Sequence, residues 1–243
     1  MDGAKSLYFA LAAEFRSNAN AEIAGLNRRW FKNDDFCSYG LSARSWKKIA
    51  HRYRESILRL SINERLILVE KLIHSGFQEE ARTANWALQI SKKSLDRSIL
   101  PFLDHYLDNA HSWATVDDFC THVLQAFLLA YRDEVLAMLK QWSLSNSRWK
   151  RRASVVAFVR RIGASGKFTR DGLRLCETLI WDTDDLVQKG VGWALKDMMR
   201  GDKEAVLQYV RDLRNRSVPS TITLYAIRDL KGSERKNFLK GAA

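Results

Sequence analysis

The chain has 243 residues, 46% of them hydrophobic and 28% charged. That is enough apolar content for one sizeable core and too much for a disordered tail, and no apolar run approaches the roughly 20 residues that span a bilayer. Forty Lys and Arg against 28 Asp and Glu leave a formal net charge of +12, an excess that suits a polyanionic partner, nucleic acid first among them. Cys37, Cys120 and Cys176 are widely spaced and form neither a disulfide framework nor a zinc pattern. With acidic Asp2 where a secretory signal has a basic start, the chain reads as an intracellular, cytoplasmic protein.

Apolar residues recur at helical spacing almost throughout. Ser61, followed three residues later by Glu64, is a capping box, and it opens a helix over 64–73 with Leu66, Val69, Leu72 and Ile73 on one face. Gly76 stops it. The density of 122–139 fits a buried helix pair broken near Tyr131-Arg132-Asp133. Over 152–162 Ala153, Val156, Ala157 and Arg160 line up, and the run ends at Gly163 to Gly166. Thr183 or Asp184 caps the run that follows, Gly201 stops it, and 203–214 aligns Val206, Tyr209, Val210 and Leu213. Ser220 after Pro219 opens the last major helix.

Two prolines and twelve glycines are too few for a β-rich domain. The expectation is a single all-α domain over 1–243 of some eleven to thirteen helices. Trp113, Trp149 and Trp193 stand 36 and 44 residues apart, which brackets the ~40–47-residue period of HEAT-type repeats. A superhelical solenoid of antiparallel helix pairs is therefore expected, with a basic concave face able to hold an extended ligand such as a duplex. An irregular helical bundle is the competing architecture.

Three segments could carry chemistry. In His111 to Asp118, Trp113 and Asp117 are four apart and share a helix face. An indole beside a carboxylate suits a cationic ligand or transition state, although a core Trp beside a capping or surface Asp has the same pattern. Ser147 to Arg152 interleaves Arg148, Lys150, Arg151 and Arg152 with Trp149. Arg152 can turn inward to hold phosphate in its planar fork while Lys150 and Arg151 reach outward; a solvated basic helix start is the plainer reading. In Val187 to Lys196, Lys189 and Trp193 share a face, and Gly190 and Gly192 each cost about 1 kcal/mol of helix stability relative to Ala. Something must pack close there, or the helix begins late.

Other chemistries find no footing. The five histidines make no H-x-x-x-H or H-E-x-x-H pair, and G-x-S-x-G, G-x-G-x-x-G and the P-loop pattern are absent. No metal and no cofactor is expected.

Taken in order, S-W-x-x-x-D at Ser112–Asp117, W-x-R-R at Trp149–Arg152 and Q-K-x-x-G-W-x-L at Gln188–Leu195 resemble the DNA alkylation repair family, the AlkD-type HEAT-repeat DNA glycosylases. Tyr39-Gly40-Leu41 is similar to the family's aromatic-glycine-hydrophobic step, with Ser42-Ala43-Arg44 where a proline is usual and Leu195-Lys196 where a Leu-Arg pair is common. The resemblance implies hydrolysis of the N-glycosidic bond of N3- or N7-alkylated purines in duplex DNA, without a deep base pocket. It implies Asp117 as the catalytic carboxylate, Trp113 and Trp193 framing the lesion nucleotide, and Arg152 holding the backbone beside it. Arg148, Trp149, Lys150, Arg151, Lys189 and Tyr39 become candidate DNA contacts. The expected partner is double-stranded DNA carrying alkylated bases, met by a monomer; a module that binds damaged or branched DNA without excising bases is the alternative.

Overall fold

The computed structural model describes residues 2–31 and 36–240. Among them secondary structure is helical, and the only extended pairing is an isolated bridge between Cys37 and Phe77. The chain forms two units, Met1–Val123 and Leu124–Ala243.

The first unit holds α1 (Asp2–Ser17), α2 (Ala21–Phe31), α3 (Ala43–Arg52), α4 (Arg54–Arg59), α5 (Ile62–His74), α6 (Gln78–Ser91), α7 (Leu100–Tyr106) and α8 (Trp113–Phe119). α5 lies against α1 and α6, and α6 in turn against α4 and α8. The capping box is formed: Ser61 Oγ accepts from the Glu64 N–H while the Glu64 carboxylate accepts from the Ser61 N–H. Leu68, Val69, Leu72 and Ile73 then face the core, an apolar stripe that burial at about 25 cal/mol per Å² makes the main stabilising contribution of this helix.

The loop into α3 turns on Gly40, whose φ is +76° and whose hypothetical Cβ would meet the Asn20 carbonyl at 2.1 Å. The buried Glu79 carboxylate holds that loop by accepting from the N–H groups of Tyr39, Gly40 and Leu41 at 2.9–3.0 Å. Three donors on one carboxylate compensate its burial.

The second unit holds α9 (Gln125–Ala130), α10 (Arg132–Ser143), α11 (Arg148–Val156), α12 (Arg160–Ala164), α13 (Thr169–Glu177), α14 (Asp185–Met198), α15 (Lys203–Asn215), α16 (Ser220–Ala226) and α17 (Gly232–Lys240). Within it α10 pairs with α11, α13 with α14 and α15 with α16. Successive pairs stack through like members: α11 on α14, α14 on α16, and α10 on α13. Two rows of helices stacked this way are the build of an α-solenoid.

Of the two helical glycines of α14, Gly192 explains how the rows close up. A Cβ on Gly192 would lie 2.6 Å from Tyr225 Cβ and 2.9 Å from the Ile222 carbonyl, so α16 rests on the α14 backbone. A Cβ on Gly190 would meet Arg152 Cγ at 3.4 Å, on the side of α11. A late start accounts for neither, since α14 begins at Asp185, capped by Asp184; close packing accounts for Gly192, while Gly190 has room for a methyl.

One expected helix is not continuous. The run 152–162 breaks at Ala157–Val159 between α11 and α12. Arg160, placed by periodicity in line with apolar neighbours, is exposed and has φ +55°. The helix count among the described residues also exceeds the expected eleven to thirteen, in part because this run divides in two.

Candidate functional site

Ser112 caps α8, its Oγ accepting from the Thr115 N–H at 3.1 Å. The cap places Trp113 at the first helical position and Asp117 one turn later, both half-buried. Trp113 leans on Phe31 at 5.2 Å between ring centroids, and Phe31 stacks on Phe36 at 4.1 Å. The indole is thus backed by an aromatic cluster, and a half-exposed carboxylate stands beside it.

A cavity of about 340 Å³ opens on the other flank of α8, lined by Asn27, Trp46, Gln78, Arg82, Asn85 and Asp118 among others. Arg82 lies over the Trp46 ring at 3.8 Å. Burial holds its guanidinium below the ordinary value, partly offset by Asp118 and Glu79. Asp118 accepts from Asn85 at 3.0 Å and faces His122 Nδ1 at 2.9 Å. Asp118, the residue after the nominated carboxylate, therefore belongs to this polar cavity. Nothing in local spacing marks Arg82, because its neighbours come from three helices.

Tyr39 lies in the core. Its ring stacks on Phe77 at 4.2 Å and its hydroxyl donates to Glu80 Oε1 at 2.7 Å. Burial, then the Glu80 contact, pushes its phenol well above the usual value. On the same unit α3 presents a cationic face: Arg44, Lys47, Lys48 and His51 are exposed at i, i+3, i+4 and i+7, opposite buried Trp46, Ile49 and Ala50.

In the second unit the nominated residues gather on the row of α11 and α14. Trp149 is half-buried, with the Arg148 guanidinium 5.5 Å from its ring. Arg148 pairs with Asp184 at 3.4 Å, and Lys189 with Asp185 at 2.5 Å. Lys150 is half-buried beside them. Arg151 turns in, not out: its Nε donates to Asp182 Oδ2 at 2.6 Å and its Nη1 to the carbonyls of Ser145 and Asn146. Arg152 is 5% exposed, and its guanidinium donates to the Leu186 carbonyl at the start of α14. Trp193, half-buried on α14, has the Arg160 guanidinium 5.9 Å from its ring centroid. Arg160 is the residue of this surface that spacing alone missed.

Among the described residues no group of three or more His, Cys, Asp or Glu is placed to hold a metal ion, and no helix is long and apolar enough to cross a membrane.

Stacked helix pairs and a basic, indole-bearing row define an all-α solenoid. More specifically, the DNA alkylation repair enzyme family matches residues 11–230, and the chain belongs to that family. Its role is therefore in DNA alkylation repair, with DNA as the partner. The fold is similar to that of a predicted DNA alkylation repair enzyme from Enterococcus faecalis, at a TM-score of 0.74 and 12% identity, over 87% of this chain and 96% of that one. No curated protein matches the chain.

Proposed function

We propose that the protein is a DNA glycosylase that hydrolyses the N-glycosidic bond of cationic N3- or N7-alkylated purines in duplex DNA. The observation that carries this reading is the capped first turn of α8, which sets Asp117 one turn from Trp113 with both partly open to solvent. An alkylated purine already carries positive charge and leaves as a neutral base, so the leaving group needs no proton from the enzyme. The work left is to stabilise an oxocarbenium-like sugar and to orient a water. A fixed carboxylate does the first by charge and the second by accepting a water proton.

Trp113 on the first unit and Trp193 on the second each offer an indole face of the kind that holds a cationic nucleotide. Arg152, buried at the same row as Trp193, ties α11 to the start of α14 through the Leu186 carbonyl. Arg148, Trp149, Lys150 and Lys189 meet the DNA backbone, and the Asp184 and Asp185 partners of Arg148 and Lys189 are released as phosphate replaces them. Arg151 braces the loop before α11 through the Ser145 and Asn146 carbonyls, and Tyr39 packs the loop into α3 on the first unit. The α3 face adds charge on the first unit. No metal or cofactor is required by this chemistry, and a monomer suffices for it.

The test is incubation with duplex DNA carrying 7-methylguanine or 3-methyladenine, with free base as the readout. Release of either base is the expected result. Salt-dependent binding without release would replace the enzyme by a DNA-binding module.

A further inference from the structure

The strained turn between α11 and α12 has no packing reason to carry an arginine. Arg160 sits at φ +55°, a region that L side chains rarely adopt and that glycine adopts freely. Two polar side chains, each 1% exposed, hold the turn there. Asp197 Oδ2 on α14 accepts the Arg160 N–H at 2.6 Å. Gln125 Nε2 on α9 donates to the carbonyls of Val159 at 2.8 Å and Ala157 at 3.2 Å. The backbone groups freed by the helix break are thereby satisfied inside the core. The Arg160 side chain itself is exposed and ends over Trp193. Buried polar anchors that fix a strained residue whose side chain points to solvent are the pattern of a functional position.

Further cations stand nearby in sequence: Lys189, paired with Asp185, lies one turn before Trp193 on α14, Lys196, paired with Asp197 and Asp229, about one turn after it, and Arg161 is exposed next to Arg160. Asp197 is buried, its Oδ2 on the Arg160 N–H and its Oδ1 facing Lys196 and Arg200, while the Arg160 guanidinium lies on the Trp193 side.

From this we infer that Arg160 is a DNA-contacting residue of the Trp193 surface, presented by a turn that Asp197 and Gln125 hold, and that its guanidinium takes the phosphodiester adjoining the nucleotide at Trp193. The inference rests on the proposed DNA-facing role of Trp193. A planar guanidinium over a ring can bind a phosphate oxygen through two N–H groups while excluding water from one side of the indole. Asp197 acts through Arg160 and is a positioning residue.

Arg160→Gly separates function from folding, because glycine relieves the backbone strain while removing the cation. The variant should melt at the same temperature as the unmutated protein or higher. Its affinity for a duplex should nevertheless fall about tenfold, the scale of one charge-assisted contact, and its log K against log salt slope should be shallower by about one. Arg160→Lys should restore the slope and part of the affinity. Unchanged slope and affinity in Arg160→Gly would overturn the inference, as would a failure of the unmutated chain to bind duplex. Base release is assayed in parallel: a chain that binds with the expected Arg160 dependence and releases no base contradicts the glycosylase reading and supports this one.

Discussion

Gly190 and Gly192 stand two residues apart on α14 and should respond to alanine in opposite directions. Each substitution gains about 1 kcal/mol of helix propensity. At Gly190 the added methyl meets side-chain atoms of Arg152 and Val155 at 3.4–3.5 Å, ordinary contact distance, so the gain is kept. At Gly192 it would lie 2.6 Å from Tyr225 Cβ and 2.9 Å from the Ile222 carbonyl. Neither atom can rotate away, because both are fixed by the α16 backbone. Overpacking of this kind costs about 1–3 kcal/mol, and the upper part of that range leaves a net loss of about 1–2 kcal/mol after the propensity gain. For a chain of this length 1 kcal/mol moves the melting temperature by about 2–4 °C. Gly190→Ala should therefore melt about 2–4 °C higher, and Gly192→Ala about 2–8 °C lower. Thermal unfolding followed by circular dichroism measures both. Two shifts of the same sign would refute the claim that α16 rests on the α14 backbone.

Arg151→Ala should lower stability by about 1–3 kcal/mol, since it leaves the nearly buried Asp182 carboxylate with only the Asp184 N–H of its two described partners, and chemical denaturation will measure the loss. Glu80 gives a pH signature. Burial raises its carboxyl above the ordinary value, so the folded state favours the protonated form; its stability contribution is fullest below the unfolded pKa and is lost as pH rises through the folded one. Glu80→Gln should thus be more stable than the unmutated protein, by a margin that grows from acid toward neutral pH in paired melting curves. Reversing Lys47 and Lys48 to Glu on α3 should make the salt slope of duplex binding shallower by about one for each lysine that meets a phosphate, read by fluorescence anisotropy across a salt series.

Helix starts and stops were legible because their causes are local. The Ser61–Glu64 box, the Asp184 cap and the Gly76 stop each depend on residues within one turn. A close approach at the glycine pair is readable and holds at Gly192, but its partner Tyr225 lies on another helix and leaves no mark in the spacing. The break after Val156 was not readable for the same reason. Local periodicity favours a continuous helix through Arg160, and the competing hydrogen bonds come from Gln125 and Asp197, each more than thirty residues away.

Among the candidate site residues, Trp113 and Asp117 take the shared face that their spacing implies. Arg151 and Tyr39 differ from an outward-reaching role because each has a buried carboxylate or aromatic partner contributed by a distant segment. Charge runs reveal how many cations a helix carries; only packing decides which of them face solvent.

The central claim is that Asp117 acts on the transition state. Single-turnover release of 7-methylguanine from duplex DNA, comparing the unmutated chain with Asp117→Asn, tests it most directly, because product release cannot mask the chemical step. The rate should fall by about 10²–10³, the scale for removing one preorganised electrostatic contact. Duplex affinity should hold or rise slightly as a negative charge near phosphates is lost. An Asp117→Asn protein that releases base at the unmutated rate would contradict the account.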